Sequence, residues 1–461
     1  MVIKRLFGAG LAFTLLLTLG AGCFGGGKTA STGGAPVVLD YWRVFDGEDT
    51  FDSIIAAYSA LHPNVRINYR KLRTEEYETE LIRAFAEGRG PDMFSVHNSK
   101  LGEMQTLMQP MPAAVTVAYQ ETVGTLRKET IFVAREQPTL SEKALKQQFV
   151  DVVASDVIKP YQASPSVAPA NRIYGLPMSV DSLVLFYNKD LLNSAGIAQP
   201  PTDWETFQDD VIKLTVLNAE GEVTQAGAAL GTTDNVERSV DLLSLLMLQN
   251  GTVMTEGNSV AFASVPKGTP EGLFPAIDAA VFYTDFANPT KEVYTWNSDF
   301  AGSFEAFANG QAAFFFGYSY HIPYLLAAAP KLNYAVSKIP QIAGGKQVNY
   351  ANYWVEVVAN NSDESDYAWD FLQFATSAEQ ASKYLTRAGK PTALRGLINS
   401  QLNSEELGPF AEQVLTAQSW YRGRDADAME KALNDFADQI LAGNDPEETV
   451  NRAAQVVRQT Y

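Results

Sequence analysis

The spacing of apolar residues from position 37 onward predicts a strand, a helix, a strand, a helix and a third strand in succession. Residues 37–42 form an extended apolar run, and residues 51–61 carry apolar side chains at helical spacing. Residues 65–69 then alternate, residues 74–85 return to helical spacing, and residues 92–96 form another apolar run. Short joints in this order are typical of a parallel sheet with right-handed crossover connections. Residues 101–172 contain helical patches separated by turns, and we predict helices and loops there.

A turn followed by a buried strand is predicted for residues 173–192. Gly175 and Pro177 exclude a helix interior. Residues 183–187 are apolar at every position, which is typical of a strand covered on both faces, as in parallel sheets. Asp181 stands between the two halves and has no cationic neighbour in sequence. Its carboxylate is therefore expected at a strand end or in a cleft.

The rest of the chain continues the mixture of strands and helices. A helix is predicted to begin at Thr202 as its cap, and the chain is predicted to end in a helix that starts at Asp445 and Pro446. Between these two points we predict one further apolar helix and three strands, over residues 239–248, 312–316, 334–340 and 350–358.

Composition restricts the class of protein. The chain has 461 residues, 46% hydrophobic and 19% charged, which suits a soluble globular protein with two domains or one large domain. The formal net charge of −18 argues against binding to nucleic acid, whose phosphates require a basic surface. The acidity also argues against adsorption to an anionic lipid surface through protein charge.

The N-terminus is predicted to be a targeting segment. Lys4 and Arg5 precede an apolar run, residues 6–19, that is too short for a comfortable membrane span. The small residues before Cys23 resemble the lipobox of bacterial lipoproteins, which implies a signal peptide over residues 1–22 and lipidation of Cys23. An ordinary secretory signal with a chance cysteine is the alternative. Residues 23–36 are rich in small residues and are predicted to be a flexible tether.

Motifs of common enzymes are absent from the sequence. There is no GxSxG, no HExxH and no CxxC motif. His62, His97 and His321 lie far apart without metal-ligand spacing, so neither a metal nor a cofactor is predicted. Acidic residues are plentiful but no catalytic pair is marked out, which leaves a glycosidase open.

Aromatic and planar polar residues at predicted strand ends form the candidate site. A sugar stacks its C–H face on an aromatic ring, and its hydroxyl groups pair with carboxylates and amides. Each aromatic residue, taken alone, is equally well explained as part of the core. The candidate ligand-binding residues are Trp42, Asp46, His97, Asn98, Asp181, Asn235, Tyr318, Tyr320, Trp354 and Trp420.

From residue 37 to the end, the chain resembles the substrate-binding proteins of bacterial ABC importers, of the maltose-binding-like family 1 type. The stretches that carry the resemblance are residues 90–94, 174–177, 187–191, 310–313, 334–340 and 368–371. It implies an α/β fold of the two-lobed, type II periplasmic-binding-protein kind, with a hinge that closes a ligand cleft. The lobes would be residues 37–180 with 355–399, and residues 181–354 with 400–461. The resemblance matches Asn98 and Asp181 to sugar contacts, and Tyr318 and Tyr320 to stacking positions.

The function implied by this resemblance is capture of a sugar or oligosaccharide for an ABC importer, without catalysis. The partners would be a small-molecule solute and the importer's permease subunits. The protein would be a monomer, attached to a membrane by the lipid on Cys23. The protein would face the extracytoplasmic side of the cell membrane. Two alternatives remain open: the same fold binding a polyamine, a peptide or a chelate, and a surface glycosidase.

Overall fold

The computed structural model describes residues 34–125 and 127–461, in which strands and helices are mixed along the whole chain. The strands in chain order are β1 (Val37–Val44), β2 (Val65–Leu72), β3 (Met93–His97), β4 (Met108–Gln109), β5 (Ala114–Val123), β6 (Glu129–Pro138), β7 (Ile158–Tyr161), β8 (Ala170–Ile173), β9 (Asp181–Ser182), β10 (Val184–Asn188), β11 (Val216–Leu217), β12 (Val223–Ala228), β13 (Thr255–Glu256), β14 (Ser259–Val260), β15 (Ala312–Gly317), β16 (Tyr334–Ser337), β17 (Asn349–Asn352), β18 (Trp354–Ala359) and β19 (Ala417–Gln418). The α-helices are α1 (Glu48–Leu61), α2 (Thr74–Ala86), α3 (Glu142–Gln148), α4 (Asp151–Val157), α5 (Lys189–Ser194), α6 (Trp204–Leu214), α7 (Ser239–Gln249), α8 (Pro275–Asp285), α9 (Ser303–Ala308), α10 (His321–Ala328), α11 (Ser365–Ala375), α12 (Ala378–Ala388), α13 (Ile398–Gln401), α14 (Gly408–Gln413), α15 (Ala426–Leu441) and α16 (Pro446–Arg458).

The first large sheet has the strand order β2-β1-β3-β18-β4. β1 pairs in parallel with β2 and β3, which confirms the succession of strands and helices predicted for residues 37–96. β18 runs antiparallel to both β3 and β4, so the sheet is mixed. The predicted strand over residues 350–358 is divided at Tyr353, and its two parts, β17 and β18, belong to different sheets.

The second large sheet has the order β11-β12-β15-β10-β16, with β10 at the position of the predicted apolar strand. This strand is buried on both faces as predicted, but it runs antiparallel to β15 and β16 instead of parallel. Alternate residues explain the apolar run, because Leu185 packs in one core cluster while Val184 and Phe186 pack in another on the opposite face. Full burial therefore did not require a parallel sheet.

Three short strands cross between the two large core clusters and pair with one another. β17 pairs antiparallel with β9 and parallel with β19. The core changes over between Val180 and Leu183, between Tyr350 and Ala351, and again after Ala417. Between residue 399 and Ala417, Ala411 and Val414 belong to the first cluster, whereas Phe410 packs in a third, smaller one. The lobe boundaries themselves stay a prediction.

A long antiparallel hairpin, β5 and β6, occupies part of the region predicted as helices and loops. Val115 and Val117 are buried at alternate positions of β5, which packs on α11. The Tyr367 hydroxyl accepts a hydrogen bond from the Ala118 amide at 3.1 Å, and the edge of β5 is thereby capped. The helical part of the prediction corresponds to α3 and α4, which follow the hairpin.

Gly175 allows the first crossing segment to lie directly against β18. A Cβ atom at this position would stand 2.5 Å from Val355 Cγ1 and 2.7 Å from the Glu356 carbonyl oxygen. The next residue, Leu176, exchanges backbone hydrogen bonds with Glu356 at 3.0 and 3.1 Å. The glycine of this motif is thus needed for a close approach of two backbones.

Two further predictions concern the start of α6 and the N-terminal segment. Asp203, rather than Thr202, caps α6, because its side chain accepts a hydrogen bond from the Thr206 amide at 2.8 Å. The predicted signal peptide, Cys23 and most of the tether lie outside the described residues. Within residues 34–125 and 127–461, no helix has the length and apolar character needed to cross a membrane.

Candidate functional site

A cleft of about 380 Å³ lies between the two large core clusters. Its walls come from the end of β1, from β3, from the crossing strands and from segments that follow β15 and α12. Several of these segments are strand ends, where α/β sheets commonly bind ligands. Five of the residues proposed from the sequence line this cleft: Asp46, His97, Asp181, Tyr320 and Trp354.

Aromatic rings form much of the cleft surface. The ring of Phe45 lies parallel to that of Tyr320, with centroids 6.3 Å apart and an angle of 8°. Trp354 meets Phe45 edge-on at 5.9 Å. The Lys390 ammonium lies 5.5 Å from the centroid of the Phe45 ring. The cleft therefore offers flat apolar surfaces next to a cation, with Phe45 and Tyr320 contributed by different sheets.

Backbone strain is concentrated at this cleft. Among the described residues, Phe45 and Arg238 are the non-glycine residues with positive φ, at 66° and 56°. Both line the cleft, Phe45 at the end of β1 and Arg238 before α7. Left-handed backbone costs free energy for residues with a Cβ atom, and such strain clusters at functional sites.

A network of charges underlies the Phe45 side of the cleft. Arg43 donates from Nε to Glu356 at 3.1 Å, and its Nη1 lies 2.9 Å from Asp46 Oδ2. Asp46 also accepts a hydrogen bond from the Tyr384 hydroxyl at 2.8 Å and lies 3.4 Å from the Lys390 ammonium. Burial favours the neutral acid, but Arg43 and Lys390 outweigh burial and lower the pKa of Asp46. Asp46 is therefore ionised and already paired at neutral pH.

Arg238 is held in a fixed orientation on the opposite side of the cleft. Its guanidinium donates two hydrogen bonds to Asp241, at 2.8 and 2.9 Å, and one to Glu430 at 3.1 Å. Asp241 also accepts hydrogen bonds from the Tyr318 hydroxyl at 2.7 Å and from Asn352 at 3.0 Å. Burial opposes the charge of Asp241, but Arg238 outweighs it and lowers the pKa. A fork fixed in this way is prepared to donate hydrogen bonds to a ligand.

Asp181 joins the first crossing strand to the loop after β15. Its Oδ2 accepts a hydrogen bond from the Ser319 amide at 2.9 Å and from the Ser319 hydroxyl, and its Oδ1 accepts one from the Ser182 amide at 2.9 Å. Burial raises the pKa of Asp181 to about 6, although the hydrogen bonds from Ser319 act in the opposite direction. The carboxylate thus lines the cleft and also fixes its wall.

His97 is neutral at physiological pH. Burial and the nearby Arg238 lower the pKa of His97 to about 4. Its Nε2 lies 2.9 Å from Asn352 Oδ1 and its Nδ1 lies 2.8 Å from Ser99 Oγ. With Nε2 as the donor, Nδ1 accepts the serine hydroxyl. The ring packs edge-on against Trp354 at 5.4 Å, so it supports the indole and contributes no charge.

The structure places the other five proposed residues away from the cleft. Trp42 is buried in the first core cluster and Trp420 in the second, where its indole donates to Ser244 at 3.0 Å. Tyr318 is fully buried, and its hydroxyl donates a hydrogen bond to Asp241. The remaining two form internal polar contacts: Asn98 donates to Asp156 at 3.3 Å, and Asn235 donates to two backbone carbonyls, at 3.0 and 3.1 Å.

Several residues that line the cleft escaped the sequence reasoning, among them Arg43, Phe45, Arg238, Asn352 and Lys390. Arg43 and Phe45 adjoin Asp46, so the predicted strand end was itself a signal for them. Lys390 lies between Gly389, which ends α12 in the left-handed conformation, and a proline. Arg238 has no comparable signal, because only the packing of α7 and α15 brings it to the cleft.

The chemistry of this arrangement is that of binding. Stacking surfaces lie beside side chains that donate and accept hydrogen bonds, and the acids Asp46 and Asp181 are each engaged by neighbours. Within the described residues, no group of three or more His, Cys, Asp or Glu side chains is arranged to hold a metal ion.

Comparison with known proteins adds to this picture. A family model described as bacterial extracellular solute-binding protein matches residues 46–382. A binding protein of Brucella abortus (strain 2308) is 25% identical over 231 residues, which cover 49% of this chain and 52% of that protein. The chain thus spans about half the length of the curated relatives it matches.

Two solved structures share the fold. A cyclic α-maltosyl-1,6-maltose binding protein from Arthrobacter globiformis has a TM-score of 0.69 at 18% identity, covering 92% of this chain and 99% of that one. An ABC transporter solute binding protein from Thermotoga lettingae TMO, bound with α-D-tagatose, has a TM-score of 0.63 at 19% identity, with the same coverage of both chains. At these identities the likeness shows the fold, and the predicted two-lobed α/β architecture is confirmed.

Proposed function

The chain belongs to the family of bacterial extracellular solute-binding proteins, and from this premise we propose that it captures a carbohydrate in the cleft between its lobes. The captured sugar or oligosaccharide would be delivered to the permease subunits of an ABC importer. Closure about the three crossing strands would enclose the ligand without chemical change.

The observation that carries the carbohydrate assignment is the aromatic lining formed by Phe45, Tyr320 and Trp354. A pyranose presents an apolar face to such rings, while its hydroxyl groups need hydrogen-bonding partners at the rim. Arg238 and Lys390 supply donors there, and Asp181 supplies an acceptor. The solved neighbours named for sugars support the same class of ligand, since they share the architecture that holds the cleft.

The charge balance of the cleft argues against an anionic ligand. Arg238 is backed by Asp241 and Glu430, while Lys390 and Arg43 are backed by Asp46 and Glu356. Each cation is therefore compensated before a ligand enters. An anionic ligand would need surplus cations, whereas the exposed carboxylate of Glu75, which also lines the cleft, keeps a polyamine as the alternative ligand.

We propose further that the protein is a monomer anchored outside the cytoplasmic membrane by lipid on Cys23. The residues before Cys23 resemble a lipobox, and two or more acyl chains give stable membrane attachment. Cys23→Ser should abolish incorporation of radiolabelled palmitate in the native host and release the protein from the membrane fraction. Unchanged fractionation of that variant would contradict the anchor.

Calorimetric titration with a panel of mono- and oligosaccharides tests the carbohydrate assignment. We expect at least one sugar to bind, with a smaller radius of gyration in solution scattering when it is present. Tyr320→Ala should weaken this binding by about tenfold or more. Phe274→Ala, which removes an exposed aromatic ring outside the cleft, is the matched control and should have no effect. Absence of any binding sugar would overturn the assignment, and release of a hydrolysis product would indicate a glycosidase instead.

A further inference from the structure

A second compartment of about 230 Å³ opens from the cleft beside α2. Residues that line both spaces include Ser95, His97, Arg238 and Trp354, so the two adjoin each other. We call this space the α2 compartment, and its floor consists of Tyr77, Leu81, Val96, Met104 and Trp354.

The floor of the α2 compartment is apolar. Leu81, Val96 and Met104 are buried, with 1%, 3% and 5% of their surface exposed. The Tyr77 hydroxyl is already occupied, since it donates to the Ser95 carbonyl at 2.7 Å and accepts from the Ser95 amide at 2.9 Å. A ligand group that reaches this floor therefore meets methyl, thioether and ring surfaces, and it finds few partners for hydroxyl groups.

Trp354 divides the two spaces. On the side of the main cleft its ring meets Phe45, at 5.9 Å. On the other side it meets Tyr77 at 5.9 Å and His97 at 5.4 Å, both edge-on. His97 is hydrogen-bonded at both ring nitrogens, so the indole is supported by a fixed neighbour. The Trp354 ring therefore stands between the stacking surface of the main cleft and the apolar floor of the α2 compartment.

Charged side chains form the rim of the α2 compartment. The Lys100 ammonium lies 2.7 Å from Glu78 Oε2 and 3.1 Å from Asp427 Oδ1. Asp427 lies on α15, whose buried side chains belong to the second large core cluster. This ion pair spans the rim from α2 to α15. An apolar group would reach the floor from the main cleft, and the paired charges would remain at the solvent side.

We propose that the α2 compartment binds an apolar, ring-sized substituent carried by the sugar that occupies the main cleft, so that the ligand is an aryl glycoside or a glycan of similar polarity. Binding of such a group would remove the apolar surface of the substituent and the exposed part of the Trp354 ring from water. The inference rests on the carbohydrate proposal above and adds the polarity of the second half of the ligand.

Paired glycosides test this inference. The methyl and phenyl glycosides of glucose, galactose, mannose and xylose are titrated by calorimetry. For the sugar that binds, the phenyl glycoside should bind about tenfold more tightly than the methyl glycoside. Leu81→Trp fills the compartment and should abolish this advantage, while the affinity for the methyl glycoside is retained.

The neighbouring residue provides the matched control. Ile82 lies on the same helix but is 48% exposed, so Ile82→Trp should keep the full advantage of the phenyl glycoside. Met104→Trp, which fills the compartment from another segment, serves if Leu81→Trp fails to fold. Equal affinity for methyl and phenyl glycosides would overturn the inference and leave the carbohydrate proposal standing. Failure of every glycoside and every sugar to bind would overturn both.

Discussion

Phe45 and Tyr320 face each other across the cleft with their rings parallel. Phe45 lies there in the left-handed backbone conformation, which is unfavourable for residues that have a side chain. The two residues follow β1 and β15, which belong to different sheets. Their contact is therefore a direct link between the lobes. Such strain clusters at functional sites, which supports the proposal that Phe45 contacts the ligand.

Two substitutions at Phe45 separate the ring from the strain. Phe45→Ala and Phe45→Gly both remove the stacking surface, so each should weaken sugar binding by about tenfold. Glycine tolerates the positive φ, whereas alanine does not. Phe45→Gly should therefore be more stable than Phe45→Ala by about 1 kcal/mol in urea unfolding. Equal stability of the two variants would show that this backbone is not strained.

Lys100 and Asp427 should influence the closure of the lobes. Their ion pair joins the segment after β3 to α15. Because Asp427 is 80% exposed, the interaction contributes only about 0.2–1 kcal/mol. Lys100→Met should reduce the closed population of the ligand-free protein by about two- to fivefold at low salt. Fluorescence energy transfer between dyes on the two lobes measures this population.

Lys431→Met is the control for this experiment, because Lys431 pairs with Asp435 within α15. It should leave the transfer efficiency unchanged. High salt should bring the original protein close to Lys100→Met, since screening weakens an exposed pair. A Lys100→Met protein whose transfer efficiency matches the original at low salt would exclude the pair from closure.

Asp181 should make stability depend on pH in acid solution. Its pKa is about 6 in the folded protein and about 3.9 in an unfolded chain, so the folded state binds more protons between these values. Stability therefore falls as the pH rises from about 4 to about 6, by up to about 3 kcal/mol. Asp181→Asn should remove this part of the pH dependence. Urea unfolding of both proteins from pH 4 to pH 7 tests it, and parallel pH profiles would contradict the assignment.

Arg238 should be important for stability as well as for binding. Asp241 is buried, and Arg238→Met would leave its charge uncompensated at a cost of about 3 kcal/mol. The double variant with Asp241→Asn removes that charge and should recover most of the loss. Chemical denaturation of both variants measures the effect. Losses that simply add would show that the two side chains act independently.

The sequence was informative where function coincides with the end of a strand. Asp46, His97, Tyr320 and Trp354 each lie at or near such an end, and the strands were visible from their apolar periodicity. Arg238 was missed because its place depends on how helices pack, which periodicity does not record. Trp42, Tyr318 and Trp420 look like stacking residues in the sequence, but the same large apolar side chains also fill cores.

Strand direction was likewise not readable from the sequence. β10 has an unbroken apolar run because apolar clusters cover both of its faces, yet it is antiparallel to β15 and β16. The hairpin of β5 and β6 was not predicted from the sequence either. Its alternation is weak, since most of β6 is exposed or only half-buried.

The position of β18 between β3 and β4 has a consequence for biosynthesis. The first sheet lacks an interior strand until residue 359 has been made, and its core is completed only by residues as late as Ala417. Contacts this distant in sequence form slowly, because the intervening chain must be ordered first. The first sheet of a nascent chain therefore cannot be completed until most of the chain has been made. For a protein proposed to be exported, this delay helps the chain to remain unfolded while it crosses the membrane.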